Sequence, residues 1–124
     1  MIRGVGIDLV EIDRVADMLK RHGEAFTRRI LHDDEGTARL ARNDGPTHLA
    51  GLFAAKEAVM KALGTGMAGA GFKEIAVVHE ASGQPRVRLH GGAAAKAEEL
   101  GIREWHLSIT HSRTTAAAVA IGVG

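Results

Sequence analysis

Cysteine is absent from the 124 residues, which excludes disulfides and thiolate metal sites. Tyrosine is absent as well, and one Trp and three Phe are all the aromatic rings the chain has. A core built from this chain must rely on Leu, Ile, Val, Met and many alanines, and association with further copies would help it. An excess of charge of either sign is also missing: sixteen Lys and Arg stand against fifteen Asp and Glu, a formal net charge of +1. That balance argues against a general polyanion binder. With so few rings to stack on bases, it also argues against a nucleic-acid binder. Asp8 and Glu11 interrupt the only apolar run near the start, so no signal peptide or membrane span is visible. The expectation is a soluble cytoplasmic protein, one domain over residues 1–124, with no membrane partner.

What the chain does have is centred on Phe53-Ala-Ala-Lys-Glu-Ala-Val-Met-Lys-Ala-Leu-Gly-Thr-Gly66. The spacing predicts a helix from about Thr47 to Leu63. Leu49, Leu52, Phe53, Val59, Met60 and Leu63 form an apolar stripe, and alanines fill the opposite side. Such a helix is buried on most sides. Lys56 nevertheless falls inside the stripe, and Glu57 and Lys61 sit one turn apart on its shoulder. Charges withdrawn from water must be paired or bind something. The helix stops at Gly64-Thr65-Gly66, where backbone N–H groups can approach a ligand closely.

Around this helix the pattern is that of an α+β domain, a small antiparallel sheet packed on a long central helix. Residues 2–10 alternate as a strand, with Ile2, Val5, Ile7 and Leu9 as anchors. Gly4, Gly6, Asp8 and Val10 occupy the other face, which the glycines leave sterically open around Asp8. Asp8 could alternatively cap the following helix. Helices are expected over 10–22, 25–31 and 32–41, the last weakened by Gly36. Strands are expected over 72–80, 86–90, 104–110 and 116–123, and a short alanine-rich helix over 93–100. The last strand carries such small side chains that it must lie against something close. Between Arg14 and Arg29, five cations against two anions give a local charge of +3. This is either a solvated helix face or a docking patch for an acidic partner.

Asp8 and Glu57 are too few ligands to hold a metal alone. They suit Mg²⁺, which keeps waters and takes further oxygens from a phosphate. A lysine one turn from a metal carboxylate, followed by Gly-Thr-Gly, suits phosphate oxygens. His111 ends a strand, and is either a phosphate ligand or a hydrogen-bonded strand-end histidine. Three segments resemble the signature motifs of the holo-acyl-carrier-protein synthases, the small phosphopantetheinyl transferases. They are Gly6-Ile-Asp8-Leu-Val-Glu-Ile-Asp-Arg14, the Phe53–Gly66 stretch, and Ser108-Ile-Thr-His111. Their order and the overall length match as well.

The resemblance implies the phosphopantetheinyl transferase fold and a homotrimer with sites at subunit interfaces. It implies transfer of phosphopantetheine from coenzyme A to a serine of an apo acyl carrier protein, in lipid metabolism. Asp8 and Glu57 would hold Mg²⁺, and together with Lys61 they would be catalytic. The positions implied for coenzyme A are Phe53, Lys61, Gly64, Thr65, Gly66, Pro85 and His111. Those implied for carrier docking are Arg14, Met18, Arg21, Phe26 and Arg29. The base that takes the serine proton stays open between Glu57 and a metal-bound water. Lys56 either pairs with a carboxylate or reaches the coenzyme. Leu52 departs from the family pattern, which often has Arg there, and Gly36 departs where a larger apolar residue is usual. A non-catalytic carrier-binding module on the same fold is the competing reading, although it would have no use for two metal carboxylates.

Overall fold

The computed structural model describes residues 1–64 and 71–124. Strand β1 (Ile2–Glu11) leads into helices α1 (Ile12–His22) and α2 (Glu24–Ile30). Two 3₁₀ turns, Asp33–Glu35 and Ala38–Ala41, precede the long helix α3 (Gly45–Leu63). After a 3₁₀ turn at Phe72–Glu74 come β2 (Ile75–His79), β3 (Pro85–Leu89), α4 (Gly91–Glu99), β4 (Glu104–His111) and β5 (Thr115–Val123). The strands form two antiparallel sheets, one in the order β1-β5-β4 and one a β2-β3 hairpin. The α+β class and the central helix are as expected.

The three-stranded sheet is built so that α3 can lie almost on its backbone. Opposed residues in antiparallel strands share a face, and the rows facing α3 are Gly4–Gly122, Gly6–Ala120 and Asp8–Ala118. A Cβ on Gly6 would stand 1.8 Å from the Ala58 carbonyl oxygen, and one on Gly4 2.2 Å from that of Ala62. The helix answers with Ala54, Ala55, Ala58 and Ala62, all buried. Small residues on both partners let the backbones approach. The space beside Asp8 is therefore filled by α3, not left open by the glycines. The small-sided β5 has its close neighbours on three sides: β1, β4 and α3.

Two further expectations change. Val5, Ile7 and Leu9 alternate as predicted, yet they are 57, 67 and 70% exposed. The sheet has one covered face, and only the glycine–alanine face fits under the helix. The predicted helix over 32–41 is replaced by the two 3₁₀ turns. Gly36 between them has φ +68°, a left-handed conformation that interrupts a helix.

Replacing Gly6 with Ala should therefore force α3 off the sheet. The expected loss is about 2 kcal/mol or more, several degrees of Tm in thermal unfolding. Gly71→Ala, where a Cβ meets nothing within 4 Å, should stay within about 1 kcal/mol of the parent.

Candidate active site

The close packing of β1 on α3 decides where the functional side chains go. Asp8 is the next residue after Gly6 on the covered face, so it meets the turn of α3 that carries Glu57 and Lys61. Lys61 Nζ donates to the Ile7 carbonyl at 3.0 Å and to Asp8 Oδ1 at 3.1 Å. Asp8 is thus not a helix cap; Glu11 occupies the N-cap of α1 without a side-chain bond. The Asp8 side chain is largely covered, and that of Lys61 about half exposed. Glu57 binds its proton more tightly than an ordinary glutamate, because burial penalises the carboxylate, with Asp8's charge adding to the effect and Lys61 offsetting part of it.

Asp8 and Glu57 open into a groove of about 470 Å³ whose apolar walls include Phe53, Val10, Val15, Met18 and Phe26. Arg14 and Glu11 also line it. A smaller groove of about 130 Å³ shares Met18 and Phe26 and adds His22 and Arg29. Four of the five residues expected to dock a carrier therefore lie together, beside the carboxylates. Arg21 is exposed on α1, outside both linings.

The other expected residues lie elsewhere. His111 Nδ1 is 3.2 Å from the Ser112 carbonyl and lines a separate groove of about 210 Å³ with Arg39, His48, Leu52 and Ile109. Leu52, at the position of the expected Arg, is buried there. Pro85 pairs with His79 on the hairpin and is not part of the Asp8–Glu57 lining. Gly64 caps α3, its N–H bonded to the carbonyls of Met60 and Lys61. Thr65 and Gly66 lie outside the described residues.

Lys56 takes the carboxylate option. Its side chain is wholly buried, with Nζ 2.5 Å from Glu35 Oε1 and further bonds to the carbonyls of Phe72 and Ile75. The partner was not legible in the sequence: a lysine inside an apolar stripe demands a carboxylate, but any of fifteen could supply it. Phe72, whose ring lies 4.9 Å from that of Phe53, also escaped sequence reasoning. Away from the groove, His32, Asp34 and His90 bring metal-type donors together. The imidazoles there lie parallel, 4.0 Å apart and 2° from coplanar stacking, so no point lies in the plane of both rings. Arg88 already contacts Asp34 Oδ2 at 3.3 Å. Arg88 and the two imidazoles thus gather around one carboxylate.

The family model described as the 4′-phosphopantetheinyl transferase superfamily matches residues 4–119. A holo-[acyl-carrier-protein] synthase from Solidesulfovibrio magneticus is 53% identical over 98% of both chains. The chain belongs to the holo-[acyl-carrier-protein] synthase family of these transferases. Another member, from Nitratidesulfovibrio vulgaris, is 50% identical over 98% of both chains. Among solved members, the Neisseria meningitidis enzyme superposes with a TM-score of 0.89 at 35% identity over the whole of both chains. The Helicobacter pylori enzyme, solved with coenzyme A, gives 0.82 at 29% identity, covering 96% of this chain and 99% of that one. The architecture expected from the motifs is the one found.

The raised proton affinity of Glu57 has a sign that can be tested. Its folded form holds a proton above the usual glutamate pKa, so its contribution to stability is greatest at low pH and is lost as pH rises through the folded value. In metal-free protein at neutral pH, Glu57→Gln should therefore raise Tm, by on the order of one to a few degrees. The gain should vanish toward pH 4, which thermal unfolding across pH would show.

Proposed function

We propose that the chain transfers 4′-phosphopantetheine from coenzyme A to a serine hydroxyl of an apo acyl carrier protein and releases adenosine 3′,5′-bisphosphate. The observation that carries this reading is the meeting of Asp8 and Glu57 at one groove, with Lys61 bonded to Asp8, in a chain whose relatives bear that activity as their name. A divalent ion fits the groove. Two carboxylates share a single ammonium there, and burial raises the proton affinity of Glu57, with Asp8's charge adding to it. Hard oxygen donors of this kind suit Mg²⁺. Asp8 and Glu57 would hold the ion, which when bound neutralises charge on pyrophosphate oxygens.

The rest of the chemistry falls to the chain's own side chains. In the transfer the serine oxygen bonds to the β-phosphorus. The bond from that phosphorus to the bridging oxygen breaks, and the bisphosphate leaves. Lys61, half exposed, has the reach to turn a donor from Asp8 toward a phosphate oxygen as charge builds there. The serine proton is taken up within the groove, by Glu57 or by water there. Phe53 gives the groove an apolar wall against the substrate. Arg14 and Arg29 present cations around Met18 and Phe26, and Arg21 extends that charge along α1. Such a surface suits an acidic carrier protein and raises the rate of encounter.

The site is completed, in this reading, by other copies of the chain. The outer sheet face presents Val5, Ile7 and Leu9 next to the half-buried Ala117, Val119 and Ile121. A contiguous apolar face of this kind is the mark of an association surface. A homotrimer closed through it would bring the His111 groove of one copy to the Asp8–Glu57 groove of the next.

Incubation with coenzyme A, Mg²⁺ and an apo carrier, read by mass spectrometry, should show the carrier gaining one phosphopantetheine. Asp8→Asn and Glu57→Gln should each remove the gain, by about a hundredfold or more in rate. Arg14→Glu with Arg21→Glu should raise KM for the carrier and leave that for coenzyme A unchanged. No mass gain with any of several carriers would favour the non-catalytic binding module instead.

Size-exclusion chromatography with light scattering should give a trimer. Ile7→Lys, on the outer face, should shift it toward monomer and weaken coenzyme A binding in parallel. A monomeric parent with full activity would remove the trimer from the mechanism.

A further inference from the structure

Lys56 and Glu35 form an ion pair with both side chains wholly covered. Buried pairs of this sort are poor explanations of stability, because well-packed apolar residues commonly serve as well. What the pair does geometrically is more specific. Lys56 Nζ spends all three of its donors, on Glu35 Oε1, the Phe72 carbonyl and the Ile75 carbonyl. Glu35 in turn accepts the backbone N–H of His32 at 2.9 Å and that of Val77 at 3.0 Å. One pair thus joins α3 to the 32–35 turn, to the segment entering β2 and to β2 itself.

Its place on α3 matters. Successive helical residues point about 100° apart. Lys56 is turned to the hairpin side while Glu57, its neighbour, faces the groove beside β1. Phe53, one turn earlier, lines that groove and rests against Phe72. Phe72 is also where Lys56 grips the chain, through its carbonyl.

We propose that Lys56 and Glu35 are positioning residues for the transfer. Together they lock the Phe72–Ile75 segment to α3, and so set the Phe53 wall relative to Glu57. This inference rests on the transferase reading above. Both side chains are wholly covered and their charged atoms lie 2.5 Å apart, and a buried charge that loses its partner is costly. Removing one member leaves the other stranded, and removing both charges does not.

That asymmetry separates positioning from mere stability. Lys56→Met should lower Tm sharply. Lys56→Met combined with Glu35→Gln leaves no charge in the interior and should recover much of the Tm. Kinetics are then measured well below the lowest Tm, with calorimetric titration of coenzyme A alongside. The double variant should still show KM for coenzyme A raised about tenfold, with KM for the carrier within about twofold of the parent. Lys56→Arg, which keeps the charge and donors, should fall between them and serves if the single Met variant does not fold. A double variant with parental coenzyme A kinetics and affinity would reduce the pair to a structural one, as would equal losses toward both substrates. If the parent itself transferred nothing, the transferase reading would fail. The calorimetric comparison would then still decide the clamp, which stands only if coenzyme A binds the variants more weakly.

Discussion

Everything in this molecule depends on how near helix α3 comes to the backbone of β1. Gly4 and Gly6 have no room for a Cβ because carbonyl oxygens of α3 occupy that space. The contact is made of small groups, and dispersion between closely packed atoms compensates for the scarcity of large rings. It also sets the distance at which the next residue on the same face, Asp8, meets the helix. A bulkier strand would hold the two carboxylates apart. The packing constraint and the proposed metal site are therefore one feature.

The three charges of α3 illustrate how position decides what a charge does. Lys56 points into the protein, where desolvation is compensated only by an ion pair and two carbonyls. Glu57 stands at the edge of burial, close enough to Asp8 for the pair to hold surplus negative charge. Lys61 reaches solvent while bridging Asp8 and the β1 backbone. Over six residues the helix passes from a buried ion pair to a proposed metal ligand to a half-exposed cation. The clamp and the ligand are adjacent in sequence, so the setting of one constrains the other.

The outer face of the same sheet carries the opposite message. The glycine–alanine face is saturated by α3, so the larger apolar side chains of β1 are turned outward. A chain with few aromatics and a thin interior gains from covering such a face with its own copies. The separation of His111 from Asp8 and Glu57 within one chain agrees with a site shared between copies. The cations near Met18 and Phe26, beside the same carboxylates, are where the proposed carrier protein would dock.

Local periodicity was enough for much of this. The alternation of residues 2–10, the length of α3, its all-round burial and its misfit charges were legible, because each depends on residues a few positions apart. So were the family motifs. The choice of covered face on β1 was not, since alternation shows that two faces differ but not which one a helix will accept. Nor were the breakdown of the 32–41 helix at Gly36, the identity of Glu35 as the partner of Lys56, or the distance between His111 and Glu57. The sequence by itself determined most of the elements, the residue types that carry the chemistry, and the kinship. The tertiary structure alone decided which of them meet, because close approach and charge pairing join residues that lie tens of positions apart and leave no periodic trace in the chain.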